Sequence, residues 1–522
     1  MDGVLCGDIT AIYGQSNCIG YDGIDSMTND LKYQKYLRNA DYDWLGAPVS
    51  TLKWYRATAP YASLGIFSLR LGYLLSQSLQ VPQALISGAV GGANISQLND
   101  RNDNDIYNQS TNYGRFIAKV NFVVQHTKLK RIIWRQGEAN ANSLEAAQNY
   151  IASFTSLRNN LRQDITEFGK IYVAQNDIIS IDYIGSAQYA GLLRDNQRKL
   201  GELFNDVEVF GTAGTLGYDG LHYNWVGHNA IASWLTTMIS DDENIGLPNE
   251  NLYSPNVQEV LFNQAGDSII IVFQPNQVVS FQEQKVYNSH TRQLVDYLLL
   301  KNSASLITGV TSDGNKLILS LDQPSVATKL TYLPTHLKDI YSNFYDGPVI
   351  SNTNGNLAMT FQDFPITKWL SPLTNLKIGV DNNNVELTWD NYSSTDKNIR
   401  IEVQTENSPT FQLLGEIASS ASVYTDNLLL PNAFRGRNYR LTVFEANAKS
   451  PYSYISGNDC LERVILQGVL NDDLVTKSKT TTTLKTTFQG NWQLSASQYI
   501  VLLPGFETLG QTVFEAETGG CN

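Results

Sequence analysis

The chain changes rhythm once, and that change limits its fold more than any other feature. Up to Asp241, apolar runs of strand length alternate with segments carrying a single apolar stripe at helical spacing. Ile9 to Tyr13 is a short apolar run that stops at Gly14. Tyr61 to Leu79 places Leu64, Phe67, Leu71, Leu74 and Leu75 on one helix face. Ala84 to Val90 reads as a buried strand, Phe116 to His126 as a helix and Arg131 to Trp134 as a strand. Leu144 to Leu161, Ala190 to Phe204 and Trp225 to Ile239 read as helices, with strands at Lys170 to Ala174 and Val207 to Thr212 between them. An alternation of this kind buries its apolar faces as a mostly parallel sheet with helices on both sides, so residues 1–242 are predicted to be an α/β domain.

After Asp241 only short alternating strands remain. Val257 to Phe262, Ser268 to Phe273, Lys316 to Leu321 and Asn356 to Phe361 are predicted strands, with turns at Asp313-Gly314 and Asn354-Gly355. This predicts a β-rich domain at 251–367. Only Leu247-Pro248-Asn249-Glu250 precedes it, too little for a swinging linker, so it is expected to pack on the α/β core. Pro365 and Pro372 bracket a predicted linker. The evenly spaced strands of 371–452, with Trp389 early and Tyr439 late, resemble a fibronectin type III sandwich in which Trp389 anchors the core and Tyr439 is the corner tyrosine. Residues 453–522 are expected to form a small C-terminal β module. Its segment Leu502 to Glu507 and its ending Thr-Gly-Gly-Cys resemble a module of secreted Bacteroidetes proteins.

The balance of 37 Lys+Arg against 50 Asp+Glu gives a net charge of -13. Nucleic acid and anionic membrane both need a basic face and are excluded as main partners. No run approaches the ~20 apolar residues of a membrane span. Met1-Asp2-Gly3 shows neither the basic nor the apolar region of a signal peptide. Cys6, Cys18, Cys460 and Cys521 are too dispersed for a zinc site, and five scattered histidines argue against a structural metal.

Four blocks carry candidate chemistry. In Tyr13-Gly14-Gln15-Ser16-Asn17-Cys18-Ile19-Gly20, a serine on a strand-to-helix turn has the placement of an activated nucleophile beside backbone amides; a helix N-cap serine uses the same position. Gly91-Gly92, after a predicted strand, lets backbone approach a ligand, or simply turns. In Trp134-Arg135-Gln136-Gly137-Glu138-Ala139-Asn140, the Gln136 amide is a neutral donor for developing negative charge, and Glu138 suits an orienting carboxylate. In Asp219-Gly220-Leu221-His222, an Asp three residues before a His can accept from one ring nitrogen and leave the other as base; surface pairs share that spacing. His126, His228, His290 and His336 have no such local partner.

Taken in order, GQSN after the first strand, Gly-Gly after the second, QGE after the third and DGLH before the last helix resemble the SGNH hydrolase superfamily. The closest likeness is to its sialate O-acetylesterase and plant-type acetylxylan esterase branch. The resemblance covers about residues 1–240 and implies a flavodoxin-like three-layer domain hydrolysing acetyl esters on sugars, followed by β-sandwich domains. It implies Ser16 as nucleophile, His222 as base and Asp219 as its orienter. The oxyanion donors would be the amides of Ser16 and of Gly91 or Gly92, with the Gln136 side chain; Gln15, Asn17 and Glu138 would support them. No metal or cofactor is implied. The stretch 251–365 is also similar to an accessory domain found beside such esterases. Three positions depart from the pattern: Cys18 replaces the usual Met, Ala93 the Thr of GGT, and Leu98 a frequent Trp. The last two bear on the sugar site.

The expectation is therefore a secreted, periplasmic or cell-surface carbohydrate O-acetylesterase with an acetylated glycan substrate. Its distal β domains are expected to be spacers or glycan-binding modules. A glycan-binding protein with a degenerate esterase domain, or a lipase or thioesterase on the same scaffold, are the competing readings.

Overall fold

The computed structural model describes residues 6–20, 35–42, 47–57, 64–125, 128–180, 187–243, 251–339, 341–381, 384–392, 397–405, 408–427, 437–445, 448–450 and 452–456, and beyond these the backbone of strands between 461 and 518. Met1 to Gly3, Tyr61 to Ser63, His126, Leu247 to Glu250, Cys460, Cys521 and most of Leu502 to Glu507 lie outside the described residues.

The first part is a seven-stranded sheet. Its strands are β1 (Asp8–Gly14), β2 (Leu37–Asp41), β3 (Lys53–Arg56), β4 (Gln83–Ser87), β5 (Leu129–Arg135), β6 (Ile171–Gln175) and β7 (Val207–Gly211), in the order β3-β2-β4-β1-β5-β6-β7. Only β3 runs antiparallel. Without the β2–β3 edge, the order is that of flavodoxin-like sheets, which bind ligands beyond the carboxyl ends of their strands. The helices are α1 (Ser16–Ile19), α2 (Ile66–Ser78), α3 (Ile95–Leu98), α4 (Asn112–Val124), α5 (Leu144–Gln148), α6 (Tyr150–Asp164), α7 (Ala190–Leu203) and α8 (Trp225–Glu243). Strand alternation sorts the core into two faces. Ile9, Ala11 and Tyr13 of β1 join Ile132 and Trp134 of β5 under α4, α6 and α7. Ile12 and Ile133 point the other way, under Phe67 and Leu71 of α2 and Leu235 of α8. Three layers result.

Three sequence readings need adjustment here. The helix read as Tyr61 to Leu79 begins at Ile66, and that read as Leu144 to Leu161 is two helices separated at Asn149, whose ψ of 5° breaks the spiral. The short, polar β2 and the exposed edge strand β3 carry too little apolar pattern to be read from sequence.

Residues 251–260 and 265–366 are β-rich and form one compact unit with the α/β sheet. The strands Val257–Phe262, Ser268–Phe273 and Lys316–Leu321 occur where expected. The strand read as Asn356 to Phe361 is instead Phe361–Pro365. Asn352 and Asn356 side chains bond the backbone carbonyls of Asn251, Leu252 and Tyr253, which holds 352–356 in a turn, with Gly355 at φ 83°. The two parts of the unit are joined by buried polar contacts. Gln175 Nε2 donates to Thr360 O at 2.9 Å and its Oε1 accepts from Thr360 N at 2.8 Å. Arg194 donates to Thr360 Oγ1 and to the carbonyls of Pro334 and Thr335. Burial lowers this guanidinium's pKa to about 10.

A second unit comprises Leu261–Gln264 and Thr367 onward; between Pro365, which ends a strand, and Pro372 lies the short strand Lys368–Trp369. Two sheets share a core containing Ile378, Val385, Trp389, Ile399, Tyr439 and Val443. Trp389 Nε1 donates to Ala421 O at 2.9 Å. The Tyr439 hydroxyl donates to the Asp426 carboxylate at 2.8 Å, where a corner tyrosine would reach backbone. Leu461–Leu470 pairs in parallel with Lys377–Asp381 and extends that sheet.

Candidate active site

The site forms at the carboxyl ends of β1, β4, β5 and β7. Strand β1 ends at Gly14, φ 148°, where a Cβ would lie 2.0 Å from the Arg135 carbonyl oxygen, so only glycine fits. Gln15 N donates to that carbonyl at 2.9 Å, and the chain then turns into α1, with Ser16 its first residue. The Ser16 hydroxyl caps no amide: its Oγ lies 3.0 Å from His222 Nε2. His222 sits on a turn closed by the Asn224 N to Gly217 O bond at 2.7 Å and by Asp219 N to His222 O at 2.9 Å. Gly220, φ 105°, lets that turn fold: a Cβ there would lie 2.1 Å from the Asn343 carbonyl of the β-rich part.

Asn17 ties the serine turn to the histidine turn. Its Nδ2 donates to Glu138 Oε1 at 2.6 Å and to Leu221 O at 2.9 Å, and its Oδ1 accepts from Tyr223 N at 3.3 Å. Gln15 Oε1 accepts from Gln136 Nε2 and from the amides of Gly137 and Ala139. Asp219 Oδ1 accepts from the amides of Leu221 and His222 at 2.8 and 2.7 Å. Its Oδ2 makes no hydrogen bond among the described residues, and none reaches His222 Nδ1. The carboxylate thus shapes the histidine's backbone, with one oxygen to spare.

Of the expected oxyanion donors, the amides of Ser16, Gly91 and Gly92 have no acceptor among the described residues, and both glycines are exposed with φ 69° at Gly92. The structure does not bring Gln136 to that role. Its side chain is 0% exposed, and Nε2 is turned toward Asn140 Oδ1 at 2.7 Å, Gln15 Oε1 at 3.2 Å and Ala93 O at 3.3 Å. It holds the loops together from behind. Ala93 and Leu98 are likewise buried in the core. Cys18 is buried and unpaired, and burial pushes its thiol up to about 12, which makes it inert packing.

Beneath the site lies a charged layer. Arg135 is buried, its guanidinium 4.4 Å from the Phe67 ring centroid and 3.4 Å from His228 Nδ1. Burial, then Arg135, then His222 push the His228 pKa well below the ordinary value, so His228 is neutral. Asp177 Oδ1 accepts from the amides of Ile178 and Gly214 and its Oδ2 from the Tyr223 hydroxyl; burial nonetheless raises its pKa to about 7. Among the described residues no cluster of His, Cys, Asp or Glu could hold a metal ion, and no helix is long and apolar enough to cross a membrane.

Beside His222 opens a cleft of about 540 Å³, with Asp219, Tyr218 and Asn224 on one wall and Tyr287, Tyr341, Asn343 and Phe344 on the other. That second wall comes from the β-rich part and was not anticipated. The only sequence signal was the aromatic content of Tyr287-Asn288-Ser289-His290 and Tyr341-Ser342-Asn343-Phe344, with nothing to link either segment to His222.

The site thus sets a serine hydroxyl against a histidine ring at the carboxyl end of a mostly parallel α/β sheet. Residues 7–240 match the family model described as carbohydrate esterase, sialic acid-specific acetylesterase, which supports a carbohydrate-esterase domain over that stretch. Among solved structures the chain is similar to a carbohydrate acetylesterase from Xanthomonas citri, at 16% identity and TM-score 0.48, covering 68% of this chain and 80% of that one. It is also similar to a protein from Arabidopsis thaliana, at 18% identity and TM-score 0.36 over 45% of this chain and 98% of that one. A third similarity is to NanS, at 10% identity and TM-score 0.34 over 44% and 96%. No curated protein matches.

Proposed function

We propose that residues 1–242 hydrolyse acetyl esters on sugars through an acyl-enzyme on Ser16. The observation that carries this reading is the Ser16 Oγ–His222 Nε2 pair at 3.0 Å, held from below by Asn17 inside the stretch that matches the esterase family. His222 takes the hydroxyl proton as Oγ attacks the acetyl carbonyl. The oxyanion accepts from the Ser16 amide and from Gly91 or Gly92. His222 then protonates the departing sugar oxygen, and a water, deprotonated by the same nitrogen, releases acetate and restores Ser16. Asp219 is the third triad member: when the site closes on substrate its uncommitted Oδ2 takes the imidazole N–H, a bond that is often loose before substrate binds. Residues 371–452 act as a fibronectin type III-like spacer, a reading supported by the Trp389 and Tyr439 core. The protein works outside the cytoplasm, where acetylated glycans are met.

The test is acetate release from a panel of acetylated glycans by the full chain and by Ser16→Ala. Release that depends on Ser16 is expected. Equal release by Ser16→Ala removes the assignment.

A further inference from the structure

In the mechanism above, His222 must hand its proton to the sugar oxygen, so the sugar has to lie on the histidine side of Ser16. The cleft lined by His222 and by the β-rich part is on that side. Its volume, about 540 Å³, suits one or two sugar rings.

Its chemistry is selective. Tyr341 is 47% exposed, and His290 stacks on it with centroids 3.5 Å apart, which presents a ring already fixed in orientation. Tyr287 is braced edge-on by Phe344 at 5.2 Å. Its Asn288 and Ser289, at φ 46° and 64°, make the two-residue turn that carries this hairpin. Flat aromatic faces pack against the C–H faces of sugars, and the side-chain amides of Asn288 and Asn343 offer both donors and acceptors to hydroxyls, while Asn224, whose Oδ1 accepts from the amides of Val226 and Gly227, offers its Nδ2.

Among the described residues the lining holds no Lys or Arg: His222 is its one basic side chain, and Asp219 faces the cleft beside it. The Arg292 guanidinium lies 5.8 Å from the Tyr341 ring centroid, but it is paired with two carboxylates, Asp339 at 2.7 Å and Asp346 at 3.2 Å. A sugar carboxylate placed here would meet Asp219 and, among the described residues, no unpaired cation, and would lose its water without a partner.

We infer that the cleft is a leaving-group subsite for a neutral acetylated sugar, stacked on Tyr341, and that it disfavours the carboxylated sugar for which the matching family is described. The inference rests on the esterase reading and narrows its substrate class.

The experiment compares acetate release by the full chain from acetylated xylan- and mannan-derived oligosaccharides and from O-acetylated N-acetylneuraminic acid. The best neutral substrate is expected to exceed the sialate by about tenfold or more in kcat/KM, and Tyr341→Ala should shrink that ratio by about tenfold. A sialate hydrolysed as well as the neutral esters, or a ratio untouched by Tyr341→Ala, overturns the inference. Loss of the esterase reading would show differently, as no Ser16-dependent release from any ester. Calorimetric titration of Ser16→Ala with deacetylated oligosaccharide and with free N-acetylneuraminic acid then still reads the cleft: tighter binding of the acid overturns it, and neutral-sugar binding weakened by Tyr341→Ala supports it.

Discussion

Asn17→Ala tests how the site is held together. Asn17 is buried at 3% exposure and joins two turns that are far apart in sequence, without itself reaching the cleft. Truncation removes its 2.6 Å bond to Glu138 Oε1 and its 2.9 Å bond to Leu221 O, and leaves Tyr223 N unpaired. A bond to a charged group contributes about 1.5–3 kcal/mol and a neutral one about 1, so the closed arrangement loses roughly 3 kcal/mol. If that arrangement is only marginally favoured with the link intact, the competent population falls by up to about 10²-fold when the link is cut. Steady-state kinetics on a small acetyl ester should therefore show kcat down by about 10²-fold with KM nearly unchanged, and Tm lower by a few degrees. A variant within about threefold of the parent in kcat would refute the idea that Asn17 positions the pair. So would a loss confined to KM.

Ser16→Ala and His222→Ala should each lower turnover by roughly 10⁴-fold while circular dichroism stays unchanged. Asp219→Asn keeps an oxygen for the Leu221 and His222 amides, so the turn survives and the kinetic loss reports on the ring; about 10³–10⁴-fold in kcat is expected, and less than tenfold would remove Asp219 from the triad. Asp177 has its pKa raised to about 7 by burial, so the fold binds its proton more tightly than the unfolded chain does. Its stabilisation is complete below about pH 4 and disappears as pH rises through 7. Thermal melts of Asp177→Asn should lack that component, so the difference in Tm between parent and variant should change steadily over this window; a constant difference would show that Asp177 does not titrate there.

The serine turn and the histidine turn were legible as features because each is a short run whose glycines and polar residues make sense only together. Gly14 and Gly220 sit at positive φ, and Ser16 and His222 each follow two residues later. Gln136 was legible as a site residue but not in its orientation. Whether its amide faces the substrate or turns inward depends on Gln15 and Asn140, and that pairing is a property of packing. The strand expected at Asn356 to Phe361 failed for a related reason: asparagine side chains bonding to the Asn251–Tyr253 backbone overrode local alternation. Tyr287, Tyr341 and Phe344 lay beyond reach because the aromatic wall has no motif of its own. It is defined by which surface the β-rich part turns toward His222.

The contact between Gly220 and Asn343 has a consequence for how the protein is made. The turn bearing His222 is built early in the chain, yet the segment that clamps it and closes its cleft emerges much later. A ribosome-bound chain that has completed the α/β sheet therefore has its serine, histidine and aspartate in sequence but not the wall against which their turn is set. On the proposed esterase reading, the histidine turn gains its full setting only when Asn343 has been made, and the α/β part alone is expected to be inactive.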